Sequence, residues 1–216
     1  MSAKIIAVFN QKGGAGKTTI AVNVAGTLGN RGHKVMIVDL DPQGTASIWT
    51  TLNEEKAFPA RINNLVQARQ IHREIEQHID AYDFIVIDCP PAAESAAPSV
   101  ALLIADLGIV PVGASGGNLW ATEKVKQLVE QARASGNEAL IVRSVANMDQ
   151  NVAIVRQIFD ALEKDEELKP FETRLGLRAA YKEAEVMGVV VGEVPRARAA
   201  AKEMDALVNE IVACLA

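Results

Sequence analysis

The stretch KIIAVFNQKGGAGKTTIAV, residues 4–22, constrains the fold more than any other part of the chain. An apolar run, a glycine-rich turn and the start of a helical pattern follow one another without a break. That order builds a strand, a loop and a helix whose N-terminus faces the loop. Gly13, Gly14 and Gly16 let backbone N–H groups converge on phosphate oxygens, because no Cβ blocks the approach. The helix N-terminus adds partial positive charge at the same point. Lys17 can neutralise β- and γ-phosphates, and the Thr18 hydroxyl can ligate Mg²⁺. The usual pattern, G-x-x-x-x-G-K-[ST], wants glycine at position 11, yet this chain has Gln11 followed by a second lysine, Lys12.

The rest of the chain alternates in the same way. KIIAVF (4–9), VMIVD (35–39), FIVID (84–88), LGIVPV (107–112) and LIVRSVA (140–146) read as buried strands, and GVVVGEV (188–194) has the same character. Helical patterns occupy 17–30, 62–80, 118–135, 151–164, 178–187 and 196–215. Alternation of this kind predicts an α/β fold: a mostly parallel sheet with helices on both faces and ligands at the carboxyl ends of the strands. With 216 residues, no repeat and no Gly- or Pro-rich linker, residues 1–216 read as a single domain. Aromatics are only 4% of the chain, so the core is expected to be Ala, Val, Ile and Leu. The acidic run EKDEEL (163–168) reads as a solvated helix end.

Acids stand at two further strand ends. Asp39 and Asp41 follow the second strand, and Asp88 ends the third. An aspartate there suits the carboxylate that holds a Mg²⁺ shell. One of the Asp39/Asp41 pair could serve the metal while the other reaches the attacking water. The alternative is that each caps the helix that follows. Cys89 and Cys214 are far apart, so neither a disulfide framework nor a zinc site is indicated, and Cys89 reads as a small buried residue. His33, His72 and His78 lack metal-ligand spacing. No apolar run reaches the roughly 18–20 residues of a membrane span, and the N-terminus is no signal peptide. A reduced, soluble, cytoplasmic protein is expected.

Residues 12–19, KGGAGKTT, resemble the deviant Walker A motif of the ParA/MinD family of P-loop ATPases. VDLDPQG (38–44) and IDCPP (87–91) resemble that family's next two motifs in order. The resemblance implies a P-loop NTPase-type fold with ATP and Mg²⁺ as cofactors. Nucleotide contacts would come from Lys12, Gly13, Gly14, Ala15, Gly16, Lys17, Thr18 and Thr19. Lys12 would reach across a homodimer to the nucleotide of the other subunit, which accounts for the extra lysine. Thr18 and Asp39 resemble the Mg²⁺ shell, Asp41 the residue that positions water, and Asp88 the Walker B acid. Asn147 resembles the adenine-reading asparagine, although Met148 follows where arginine is usual. Pro195 resembles the proline of the late loop near the base.

The resemblance further implies weak ATPase activity, stimulated by a ParB-like or analogous adaptor on a cargo. That cargo would be a plasmid, a chromosome origin, a carboxysome or another protein cluster. The ATP dimer would ride on non-specific double-stranded DNA and so be nucleoid-associated. Residues 174–202 offer a surface for this. Arg174, Arg178, Lys182, Arg196, Arg198 and Lys202 stand against Glu183, Glu185 and Glu193, a local +3 in a chain of −5. Such a patch could meet phosphates without reading bases. A MinD-like membrane role is disfavoured. The last helix has one apolar face (Met204, Leu207, Val208, Ile211, Val212, Leu215), but Glu203, Asp205 and Glu210 make its polar face acidic. Dethiobiotin-synthase-like ligases and nitrogenase-like reductases are the metabolic alternatives.

Overall fold

A computed structural model describes residues 2–113, 118–149, 162–165 and 167–216, with the backbone alone for 118–122. Seven strands pair in one sheet in the order β3-β2-β4-β1-β5-β6-β7. They are β1 (Lys4–Val8), β2 (Val35–Asp39), β3 (Arg61–Asn64), β4 (Phe84–Asp88), β5 (Leu107–Val112), β6 (Ile141–Asp149) and β7 (Pro170–Gly176). Every pairing is parallel. The central strands are buried on both faces, which is why they read as unbroken apolar runs.

Alternate side chains serve two cores. Ile6, Val8, Ile37, Val86 and Ile109 face α1 (Lys17–Asn30), α6 (Ala179–Met187) and α7 (Arg198–Leu215). Ala7, Phe9, Met36, Val38, Ile85 and Ile87 face the other side, with α4 (Ala97–Ile104) and α5 (Asn118–Ala134). Helix α1 is buried almost all round, from Ile20 to Ala25 and again at Leu28. Helix α7 packs Met204, Leu207, Val208, Ile211 and Leu215 into the first core, as its apolar face predicts. Cys89 is fully buried. Among the described residues no helix is long and apolar enough to cross a membrane.

Several elements differ from the sequence reading. The apolar run 188–194 is not a strand: Gly188 ends α6 in the left-handed region and Val191–Glu193 form a short 3₁₀ turn. Side chains satisfy its backbone instead of a neighbouring strand. The Val191 N–H donates to Asn23 Oδ1 at 2.7 Å, and Trp49 Nε1 donates to the Val189 carbonyl at 3.0 Å. The seventh strand is β7, whose half-exposed edge position leaves it without an apolar run. The expected helix 62–80 opens instead with β3, and only α3 (Ile71–Glu76) is helical. Two short helices, α2 (Thr45–Thr51) and α4, lie outside the predicted helical patterns. The expected helix 151–164 lies outside the described residues up to 161. Within 163–168, Asp165 pairs with Lys126 and Leu168 is buried, so that acidic segment is docked rather than solvated.

Asn23 is the polar tie inside the first core: fully buried, it also donates from Nδ2 to the Thr19 carbonyl at 2.8 Å. Asn23→Ala strands the Val191 N–H in an apolar setting. It should cost ~1–3 kcal/mol, read as a lower urea midpoint with an unchanged slope.

Candidate functional site

The loops that leave β1, β2, β4 and β7 and the last residues of β6 converge on one cavity of about 580 Å³ at the carboxyl edge of the sheet. The first turn of α6 closes its far side with Tyr181 and Lys182.

Gly13, Gly14, Gly16, Lys17, Thr18 and Thr19 form the floor. Gly16 stands at φ 88° before α1, and a Cβ there would lie 2.1 Å from Asn147 Nδ2. Only glycine meets both conditions. Asn147 is held in turn by donating to the Ala15 carbonyl at 2.8 Å. No side chain caps α1 and its first turn has no acid, so its N–H groups face the loop. Lys17 is buried and donates from Nζ to the Lys12 carbonyl at 3.2 Å. Burial lowers its pKa, against the opposing pull of Asp88, Asp41 and Glu94. Lys12 is exposed at the outer turn and does not line the cavity. Asn10, which sequence reasoning passed over, anchors the loop. Its Nδ2 donates to the Pro111 carbonyl at 2.6 Å, its Oδ1 accepts the Lys12 N–H at 3.2 Å, and its carbonyl accepts the Ala92 N–H at 3.0 Å.

The three acids separate into different roles. Asp39 and Asp88 sit in register across β2 and β4, both fully buried. Asp39 has both oxygens engaged: Oδ1 accepts the Asp41 N–H at 3.1 Å, and Oδ2 accepts from Ser47 N at 2.9 Å and Oγ at 2.7 Å. It therefore holds the N-terminal turn of α2 and does not line the cavity. Asp41, where the chain has left the strand, does line it. Neither oxygen of Asp88 has an aligned donor. Burial pushes its pKa up to about 8; the nearby Thr18 hydroxyl opposes this and the Asp39 charge adds to it. A buried carboxylate without a donor, beside a threonine hydroxyl, suits a hard cation. Among the described residues no three His, Cys, Asp or Glu side chains form a cage. The donor set therefore fits a Mg²⁺ that keeps most of its ligands as water and phosphate oxygen.

The six basic residues of 174–202 do not share one face. Arg178 and Lys182 line the cavity, with Leu177 and Glu185 beside them. Arg178 is paired with Glu203, donating from Nε to its two oxygens at 3.1 and 2.9 Å. Arg198 and Lys202, four apart on α7, are exposed, as is Arg196. Arg174 is half-buried on β7. Pro195 is exposed beyond the 3₁₀ turn and is not part of the cavity lining. Spacing shows none of this, because the closing of the cavity by α6 opposite the glycine-rich loop is a tertiary fact.

A parallel sheet whose central strand feeds a Gly-rich loop and an uncapped buried helix defines a P-loop fold. The model of a family described as "AAA domain" matches residues 3–79 and 60–142. Maintenance of carboxysome distribution protein A from Halothiobacillus neapolitanus is 31% identical over 212 residues, 96% of this chain and 95% of that protein. Among solved structures, an ATP complex of McdA from Cyanothece superposes with a TM-score of 0.81 at 16% identity, covering 98% of this chain and 97% of that one. The cell division ATPase MinD of Pyrococcus furiosus superposes with a TM-score of 0.79 at 21% identity, covering 99% and 100%. The chain belongs to this ParA/MinD-type family.

Asp88 carries a pH signature. Its folded pKa lies above its unfolded value, so the folded chain holds the extra proton and stability falls as pH rises from about 4 towards about 8. Asp88→Asn should remove this slope, which is at most ~1.4 kcal/mol per pH unit. Urea titrations in chelator should find the variant more stable than wild type at pH 8, with the difference shrinking at pH 5.

Proposed function

We propose that this protein is an ATP-dependent dimerising switch that positions or segregates a cargo, with DNA as the surface it rides on. The similarity to the carboxysome distribution protein over nearly the whole of both chains carries this reading. It favours a protein assembly over a plasmid as the cargo. In this reading ATP closes the dimer, an adaptor on the cargo stimulates hydrolysis, and the ADP form leaves the DNA.

The residues act as follows. Gly13, Gly14, Gly16 and the start of α1 receive the phosphates through backbone N–H groups, and Lys17 leaves the Lys12 carbonyl for a phosphate oxygen. Thr18 and Asp88 would hold a Mg²⁺ ion, whose charge would offset that of the transferring phosphoryl group. Asp39 acts behind them by fixing α2 and the loop that carries Asp41. Asp41 orients the attacking water from the cavity wall. Lys12 stands at the outer turn, where a second subunit's nucleotide can meet it. A cation supplied in trans offsets phosphate charge only when the dimer closes, so ATP favours the dimer. Asn147 reads the base beside Gly16. Arg196, Arg198 and Lys202 are the exposed cations for DNA phosphates, with Arg174 at the neighbouring edge. Arg178, tied to Glu203 at the cavity, is a weaker candidate.

The burial of the apolar face of α7 argues against a membrane-binding helix there. Buried Cys89 argues against a dimer-bridging iron–sulfur cluster.

Binding to long non-specific duplex DNA, in Mg²⁺ with no nucleotide, ADP or ATP and at two salt concentrations, tests the scaffold. Binding is expected with ATP alone and weaker at the higher salt. Failure to bind in every state, with ATP still dimerising the protein, removes DNA as the surface. Asp41→Ala should lower adaptor-stimulated hydrolysis on the order of a hundredfold. A wild-type rate in that variant removes its assigned role.

A further inference from the structure

We propose that Asn64 and Ser47 are positioning residues for ATP hydrolysis, forming a hydrogen-bond relay that runs in from the edge of the sheet and sets where Asp41 stands; this rests on the ATPase reading above. Strand β3 is an edge strand, and Asn64 ends it exposed, in register with Asp39 of β2. Asn64 Nδ2 donates to Ser47 Oγ at 3.0 Å, and Ser47 Oγ donates to Asp39 Oδ2 at 2.7 Å. Asp39 Oδ1 accepts the Asp41 N–H at 3.1 Å. Asn64 and Ser47 both lie outside the cavity lining, so the relay acts on Asp41 from behind.

Each link has one direction. Asn64 Oδ1 accepts the Val66 N–H at 3.3 Å, which turns the amide so that its N–H groups face Ser47. A serine hydroxyl carries a single proton and rotates to suit its partners. With Asn64 donating to its oxygen, that proton is left for Asp39. The Ser47 N–H meets the same carboxylate oxygen at 2.9 Å, so Asp39 receives two donors from the first turn of α2. The Leu65 N–H donates to the Asp39 carbonyl at 3.0 Å and ties the end of β3 to the same residue. Successive hydrogen bonds that end on a buried carboxylate polarise and strengthen one another. Residues 40–44 alone separate β2 from α2, and the Asp41 carbonyl accepts the Gly44 N–H at 2.8 Å. A segment this short follows its anchors, so a shift of Asp39 or of the first turn of α2 moves the Asp41 carboxylate. A misplacement of about 1 Å costs up to about a hundredfold in rate. The relay therefore governs turnover and leaves the phosphate contacts of the glycine-rich loop unchanged.

The test measures kcat and KM for ATP with the full chain in Mg²⁺, and ADP affinity by calorimetric titration. Asn64→Ala changes an exposed position and should fold; Ser47→Ala removes the central link, and Ser47→Thr puts a hydroxyl back. Asn64→Ala should lower kcat about three- to tenfold and Ser47→Ala about ten- to fiftyfold, with KM and ADP affinity unchanged. Ser47→Thr should recover the wild-type kcat. Because Asn64 acts through Ser47, the double alanine variant should be no slower than Ser47→Ala alone. A wild-type kcat in Asn64→Ala overturns the relay, as do losses that multiply in the double variant or an equal loss of ADP affinity. A wild type that hydrolyses no ATP removes the ATPase reading and the positioning role with it. Hydrogen exchange without nucleotide reads the geometry separately. In Asn64→Ala the amides of residues 39–47 should exchange several-fold faster, with those of 88–95 unchanged. Equal protection of 39–47 in both proteins overturns the relay even where the wild type hydrolyses ATP.

Discussion

Helix α1 is sealed along its length between the sheet and the elements that follow α6, yet its first turn has no side-chain cap. Those two conditions set the terms for everything above the sheet. A helix end left bare in a protein interior needs partners for its N–H groups. Sealing the rest of the helix fixes where those partners must come from. The glycine-rich loop, Lys17, Asp41 and Asp88 all gather at that one turn, and the cavity opens there.

Charge in this region is balanced with little reserve. Lys17 loses hydration and its pKa falls, while Asp88 loses hydration and its pKa rises, so neither buried group is at ease in its charged form. Asp39, as buried as Asp88, has both oxygens held by Ser47 and by the Asp41 N–H. The difference between two aspartates in register on neighbouring strands comes from α2, which supplies donors to one and not to the other.

The parts legible in the sequence are those fixed by local chemistry. Strands β1, β2, β4 and β5 announce themselves as apolar runs because burial on both faces demands it, and β6 is legible from the apolar residues on either side of Arg143 and Ser144. The glycine-rich loop is legible because Gly16 answers to backbone geometry and close approach together. Strand β7 was not legible, since an edge strand need bury only alternate side chains and PFETRLG carries charges on the others. The run 188–194 misled for the converse reason. Apolar content reports burial, and here the burial is achieved by a turn whose amides are met by Asn23 and Trp49. At the site, spacing identified the floor and the acids but gave no sign that Asn10 binds three segments together or that Ser47 completes Asp39. The first depends on Pro111, 101 positions away, and the second on α2, a helix of seven residues that the pattern does not announce. The basic cluster of 174–202 shows the limit most plainly: a net charge over a segment carries no information about which side chains look the same way.

Glu203 ties two parts of the molecule that face different surroundings. It accepts from Arg178 at the rim of the cavity and from the Gly176 N–H at the end of β7, and it belongs to the helix that presents Arg198 and Lys202 outwards. That helix is stiff and anchored along its buried face. The cavity rim and the outward cations are thus joined through this one helix, by the Arg178–Glu203 ion pair and the Gly176 N–H bond together. The inner pocket and the outer surface therefore share one helix, tied to the end of β7 by Glu203 and, nearer the start of that strand, by Glu210.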